Sequence, residues 1–217
     1  MGLNKIIMNK YLFFVLLLLV LTKSYCQYGN IELSSGGFSF IPAFMDRNPN
    51  INFAIGTNSK KLISGHLIGS IRMKNISPRI LIFNSRLKAI DKKFKMSIGA
   101  HLPVIQISEE YMVDTFIGQE LRMSYPITEK NNLSFLYIHG KGRNNDLEFN
   151  LITINNNRQI GKFNLVSQLY FLDKDKLYGG AQTVNFKLKE KMHLKGFINY
   201  TVPTKDLFSI IGLNFNL

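Results

Sequence analysis

The sequence predicts an all-β chain closed into an antiparallel up-and-down barrel that crosses a membrane, and three observations predict it. Apolar and polar residues alternate with a period of two in run after run. Turn-forming clusters separate these runs at intervals of roughly 8–15 residues. The runs begin only after an N-terminal stretch with the layout of a secretory signal. The clearest run is 94–102. Phe94, Met96, Ile98, Ala100 and Leu102 fall on one side of an extended strand, and Lys95, Ser97, Gly99 and His101 fall on the other.

Residues 1–26 read as a signal peptide and 27–217 as a single barrel domain. Lys5 and Lys10 precede an apolar run, 11–21, too short to span a bilayer as a helix but suited to a signal core. Met8 is an equally good start, because Asn9-Lys10 still supplies the positive region. Ser24 and Cys26 occupy the −3 and −1 positions of a small-residue cleavage site. Cys26, the only cysteine, has two readings: removal with the signal, or lipid attachment, against which stand the bulky Tyr25 and Lys23. In neither case does the exported chain hold an internal disulfide. Loss of Lys5, Lys10 and Lys23 lowers the net charge from +13 to +10. The remaining basic residues are spread over many strands, which argues against a nucleic-acid-binding patch, as does export.

The runs follow in order. The first, 31–44, is the least regular: Gly36-Gly37 interrupts it, and Phe38, Phe40, Pro42 and Phe44 then share a face. A loop at 46–50 leads to 51–57 and then 61–73, where Ile63, Leu67, Ile71 and Met73 oppose Ser64, His66, Ser70 and Arg72. In 79–89, Leu81, Phe83 and Leu87 oppose Asn84, Arg86 and Lys88. After 94–102 comes what reads as the longest connection, 104–114, with Glu109 and Glu110 as an external acidic pair. Run 115–125 sets Ile117, Leu121, Met123 and Tyr125 against Glu120, Arg122 and Ser124. Both faces of 133–139 are apolar, and 147–153 carries Glu148 and Asn150 on its polar side. Runs 160–171, 178–188, 192–202 and 207–217 complete about 12 strands, within a range of roughly 10–14.

Alternation shows that one face is dry, and three features place that face against lipid. Strand lengths match a tilted bilayer crossing. The connections are hairpin-length, and an even strand number puts both chain ends on the periplasmic side. Aromatics sort into two belts, Phe44, Phe171, Tyr178 and Tyr200 at the outer rim and Phe94 and Tyr125 at the periplasmic one. Pairing 207–217 with the first strand removes both sheet edges, whose unpaired groups cost several kcal/mol each in lipid. A terminal strand with Phe215 two residues from the end resembles that of bacterial outer-membrane β-barrel proteins, where an aromatic near the carboxyl end is the assembly signal. The resemblance implies residence in a Gram-negative outer membrane, with membrane lipid and the assembly machinery as partners. Absence of Trp, and Gln119 and Gln182 on apolar faces, depart from the pattern.

The polar face then lines the lumen. It offers Arg72, Arg86, Lys88, Lys95, Arg122, Lys162, Lys187 and Lys195, against Glu120, Asp146 and Glu148. Rings of such cations set anion preference in pores, so small anionic solutes are the expected cargo if the lumen is open; salt bridges that plug it are the alternative. His66, His101 and His193 share the face, but no nucleophile motif, paired metal-ligand spacing or phosphate-cradling loop accompanies them. The expectation is a passive channel or structural barrel, without catalysis, metal or cofactor. The competing class is an exported, periplasmic or secreted soluble barrel or sandwich that binds a hydrophobic ligand or a protein partner.

Overall fold

The computed structural model describes residues 28–58, 61–108 and 110–217. The signal segment, Cys26 and Glu109 lie outside them. Twelve antiparallel strands form one closed barrel: β1 (Tyr28–Ser34), β2 (Asn50–Gly56), β3 (Ile63–Arg72), β4 (Ser77–Asp91), β5 (Lys95–Ile107), β6 (Val113–Thr128), β7 (Asn131–Gly142), β8 (Glu148–Ile160), β9 (Phe163–Leu172), β10 (Leu177–Lys189), β11 (Met192–Thr201) and β12 (Asp206–Asn216). Each strand pairs with its sequence neighbours, and β12 returns to β1 with Ile31 opposite Phe215 and Leu33 opposite Leu213.

The barrel is inside-out relative to a soluble one. Outward residues such as Leu169 and Ile211 are each 65% exposed, whereas inward His101 and Asn84 are 1% and 0% exposed. The Phe94–Leu102 alternation is borne out up to His101, with Ile98 outward and His101 inward. This distribution is stable only when lipid covers the outside. The turns at the rim where β1 begins and β12 ends are tight, at 92–94, 129–130, 161–162 and 190–191. Short turns mark the periplasmic rim of such barrels. Phe171, Tyr178 and Tyr200 lie toward the opposite, extracellular rim, and Phe94 and Tyr125 toward the periplasmic one.

Two expectations are corrected, each for a physical reason. The run 31–44 is not one strand. β1 ends at Ser34, and residues 35–49 leave the wall, fold inward and form a single 3-10 turn at Pro42–Phe44, so Phe44 does not belong to the outer aromatic belt. Gly36 allows the exit, because a Cβ there would overlap Ile210 and stand 2.6 Å from the Asp46 carbonyl oxygen. Nor is 104–114 the longest connection. Strand β5 continues to Ile107 through a bulge at Leu102-Pro103, where Asn84 pairs with His101 but Ile82 with Val104. The bulge shifts the phase of alternation, so the sequence reads as a loop where a strand persists. Glu110 sits in a tight hairpin at 108–112, closed by Ser108 N–H donating to the Met112 carbonyl (2.9 Å).

The facing of β5 yields a direct test. Ile98→Arg should impair assembly by roughly 2–4 kcal/mol, the cost of a cation at mid-bilayer. Ser97→Lys, pointing to the lumen, should assemble nearly as well as the parent. Urea unfolding and the mobility of unheated protein in SDS gels measure both, and equal tolerance would contradict the lipid-facing assignment.

Candidate functional site

The inward loop contacts strands from all round the barrel, which is possible only from within. Ile41 is buried with Ile138 on β7, Leu151 on β8, Tyr170 and Leu172 on β9, and Leu177 on β10. Met45 packs against Ala181, Phe197, Phe208 and Ile210 on β10 to β12. Phe40 stands edge-on to His101 of β5, with ring centroids 4.8 Å apart, and Phe38 continues the stack at 5.1 Å. The loop closes on itself through Gly37 N–H donating to the Asp46 carbonyl (2.8 Å). A cavity of about 200 Å³ remains between the loop and the wall, lined by Phe38, Phe40, Arg79 and Phe149 among others.

One guanidinium fixes this loop. Arg79 Nε lies 3.0 Å from Asp46 Oδ2, and its terminal nitrogens donate to the carbonyls of Phe38 (2.7 Å) and Phe44 (3.4 Å). Simple alternation puts Arg79 with Leu81 and Phe83 on the lipid face. It turns inward because it is the extra residue of a bulge: Ser70 pairs with Ile80, and Ile71 with Pro78. Burial alone would raise the Asp46 carboxyl. The Asn48 backbone N–H and the Arg79 charge more than offset that and hold it below the usual carboxylate range. A second ion pair, Arg47 with Asp206, holds the loop to β12, and Arg47 also lies 4.5 Å over the Phe208 ring.

Beneath the loop a charged network crosses β4 to β6. Glu120 accepts from Arg86 Nε (2.5 Å) and Arg86 Nη2 (3.1 Å), and stands 2.9 Å from His101 Nε2. Asn84 Nδ2 lies 3.2 Å from the same imidazole nitrogen. Across the lumen, Lys195 donates to Glu32 at 2.9 Å and 3.0 Å. Tyr28 OH meets His66 Nδ1 at 2.5 Å. Toward the periplasmic mouth the inner wall of β8 to β12 is amide-rich, with Gln159, Asn164, Asn185 and Asn214 beside Lys162, Lys187 and His193.

The expected lumen residues thus divide. Arg86, Lys88, His101, Glu120, Arg122 and Lys195 face inward, with Lys95 and Lys162 at the periplasmic mouth, Lys162 in the turn after β8 rather than on a strand. Arg72 faces inward near the extracellular end, where its guanidinium is taken up by the carbonyls of Ile107 (2.7 Å), Pro78 (3.4 Å) and Ser108 (3.5 Å). It therefore adds no accessible stretch to a basic wall. Glu148 is a correction. Leu151 and Thr153 are fully buried inward, so alternation turns Glu148 outward, where it lies 3.7 Å from His139 and 3.9 Å from Lys141. Asp146 lies in the loop before β8, outside the lumen wall. The polar departure Gln182 is accommodated on the outer face by Ser167, whose hydroxyl donates to it at 2.7 Å. Among the described residues no three His, Cys, Asp or Glu side chains are placed to hold a metal ion.

Sequence reasoning missed Arg79, Asp46 and Glu32. The one signal for Arg79 is the adjacent Pro78, since proline in a sheet is confined to edges, strand starts and bulges.

Replacing Arg79 leaves Asp46 without its countercharge and takes a donor from the Phe38 and Phe44 carbonyls, and removing one partner of such a buried pair costs about 3–5 kcal/mol. A thiol introduced by Ile41→Cys should react slowly with a maleimide in the parent. It should react roughly a hundredfold faster when Arg79→Gln is added, the factor that about 3 kcal/mol supports. The pH dependence has a defined sign. Asp46 is depressed in the folded protein, so its contribution is complete above the ordinary carboxylate value of about 3.9 and is lost as pH falls through the lower folded value. Labelling should therefore be flat from neutrality to about pH 4 and rise only below it.

No protein-family profile and no curated protein matches the chain. Among solved structures, the KdgM porin, alone and in complex with disordered oligogalacturonate, superposes with a TM-score of 0.62 at 8% identity, covering 87% of this chain and 97% of that one. NanC porin superposes with a TM-score of 0.52 at 10% identity, over 87% of this chain and 97% of its own. These likenesses join the closed twelve-strand topology and the inside-out faces: the chain has the fold of an outer-membrane β-barrel protein of the porin type.

Proposed function

We propose that this chain is a passive diffusion channel of the outer membrane, narrowed on the extracellular side by its inward loop and favouring small anions. The observation that carries the reading is the charge balance below the loop. Glu120 is engaged by Arg86 and His101, and Glu32 by Lys195. The Arg122 and Lys187 side chains make no hydrogen bond or ion pair among the described residues, and both are exposed on the inner wall. Cations on a pore wall raise the local concentration of anions, an effect that salt screens over about 8 Å at physiological strength. The porin fold supports permeation, and the KdgM porin's complex with oligogalacturonate, an acidic sugar chain, supports anionic cargo. Membrane lipid on the apolar outer face and the outer-membrane assembly machinery, reading the strand that contains Phe215, are the partners this role requires. It is a transport role rather than an enzymatic one.

Planar-bilayer recording in a potassium chloride gradient tests the proposal. The parent should conduct, with chloride more permeant than potassium and the preference strongest in dilute salt. Arg122→Glu should bring the permeability ratio to unity or below. Cation preference in the parent would contradict the lumen assignment. Silence in both the parent and Arg79→Gln would contradict permeation.

A further inference from the structure

The charge of the barrel is concentrated at one end. Each of the five turns at the periplasmic rim carries a lysine: Lys61, then Lys92 and Lys93, then Lys130, Lys162 and Lys191. Among the described residues only Asp91, Glu129 and Glu190 oppose them at that rim, and Asp91 is bound to Lys88 at 2.7 Å. The extracellular rim is balanced instead. Arg47 pairs with Asp206, Lys141 with Glu148, and Lys174 and Lys176 alternate with Asp173 and Asp175.

Two of the rim cations point to what meets this charge. Lys93 lies over the ring of Tyr125, 5.1 Å from its centroid, and Tyr125 is an outward-facing aromatic at the periplasmic interface. Arg158 is exposed on β8, whose alternation is unbroken from Leu151 and Thr153 inward, so its side chain faces outward between Ile160 and Leu165. Its guanidinium makes no hydrogen bond or ion pair with any described residue. A guanidinium on the apolar outer face is tolerated when its stem lies along that face and its head reaches an anion at the interface.

We propose that the periplasmic rim is a binding girdle for anionic glycerophospholipids of the adjoining leaflet, with Lys93 and Arg158 as its outward-facing contacts for the phosphodiester. The girdle runs round the whole circumference, as a lipid leaflet does. An acidic soluble partner would meet the mouth from below and would leave Arg158, on the lipid face, unmatched. The inference rests on the membrane placement above and is independent of permeation.

The test is the lipid selectivity of the folded protein reconstituted in phosphatidylcholine vesicles, read by electron paramagnetic resonance with spin-labelled phosphatidylglycerol against spin-labelled phosphatidylcholine. Phosphatidylglycerol should associate at least about threefold more strongly at low salt and lose that advantage near 1 M salt, where screening shortens to about 3 Å. Lys93→Gln with Arg158→Gln should bring the ratio close to unity, while Lys141→Gln with Lys174→Gln at the other rim should leave it intact. Inserted protein without selectivity would overturn the proposal, as would selectivity unchanged in the Lys93/Arg158 variant. Absence of selectivity together with salt-sensitive binding of soluble polyglutamate would assign the ring to an acidic macromolecule instead. Protein that fails to insert would count against the membrane placement itself and is distinguished by the absence of any motionally restricted lipid signal.

Discussion

Closure of β12 onto β1 is the constraint from which the rest follows. In lipid an open sheet edge leaves N–H and C=O groups with nothing to bond, and the ladder from Asn30 opposite Asn216 to Ser34 opposite Gly212 removes that edge. Closing twelve strands creates a lumen too wide for wall side chains alone to fill. The chain fills it unevenly. Residues 35–49 occupy the extracellular half, and charged and amide side chains line the periplasmic half.

The inward loop changes what the wall must look like. Where the lumen is wet, inward positions are polar: Asn84, Glu120, Asn185. Where the loop packs, inward positions are apolar: Ile138, Leu151, Leu172, Leu177. Burying a side chain such as Ile41 contributes about 1.5–3 kcal/mol, without direction. Position comes from Arg79, because a guanidinium that must reach Asp46, Phe38 and Phe44 together admits few placements of the loop. The apolar contacts therefore hold the loop in, and the ion pair sets where it sits.

The barrel was legible in the sequence because a period of two survives wherever one face is wet and the other meets lipid. Strands β10, β11 and β12 fall within a residue of their predicted positions, and Leu121 with Glu120, or Leu169 with Gln168, face as alternation requires. The failures share a cause. Bulges at Arg79 and at Leu102-Pro103 insert one residue and reverse every facing beyond them, and the only local signal is a proline at each, Pro78 and Pro103, which fits a strand start or a turn as well as a bulge. The loop was misread because Phe38, Phe40, Pro42 and Phe44 have the spacing of a lipid-facing strand. Their apolar partners are the inner faces of β7 to β10, and those partners are visible only in three dimensions. The two apolar faces of 133–139 were the counterpart signal: Leu133 and Phe135 meet lipid, and Ile138 meets Ile41. Glu148 was misplaced for the same reason, since an inner face carrying Phe149 and Leu151 reads as an outer one.

The central claim is that residues 35–49 lie inside the barrel, and methyl contacts measure this directly. In selectively methyl-labelled protein in lipid nanodiscs, nuclear Overhauser cross-peaks should connect Ile41 to Ile138 and Leu151, which sit on neighbouring strands far from Ile41 in sequence. An Ile41 methyl with random-coil shifts and no cross-peak to either residue would contradict the account.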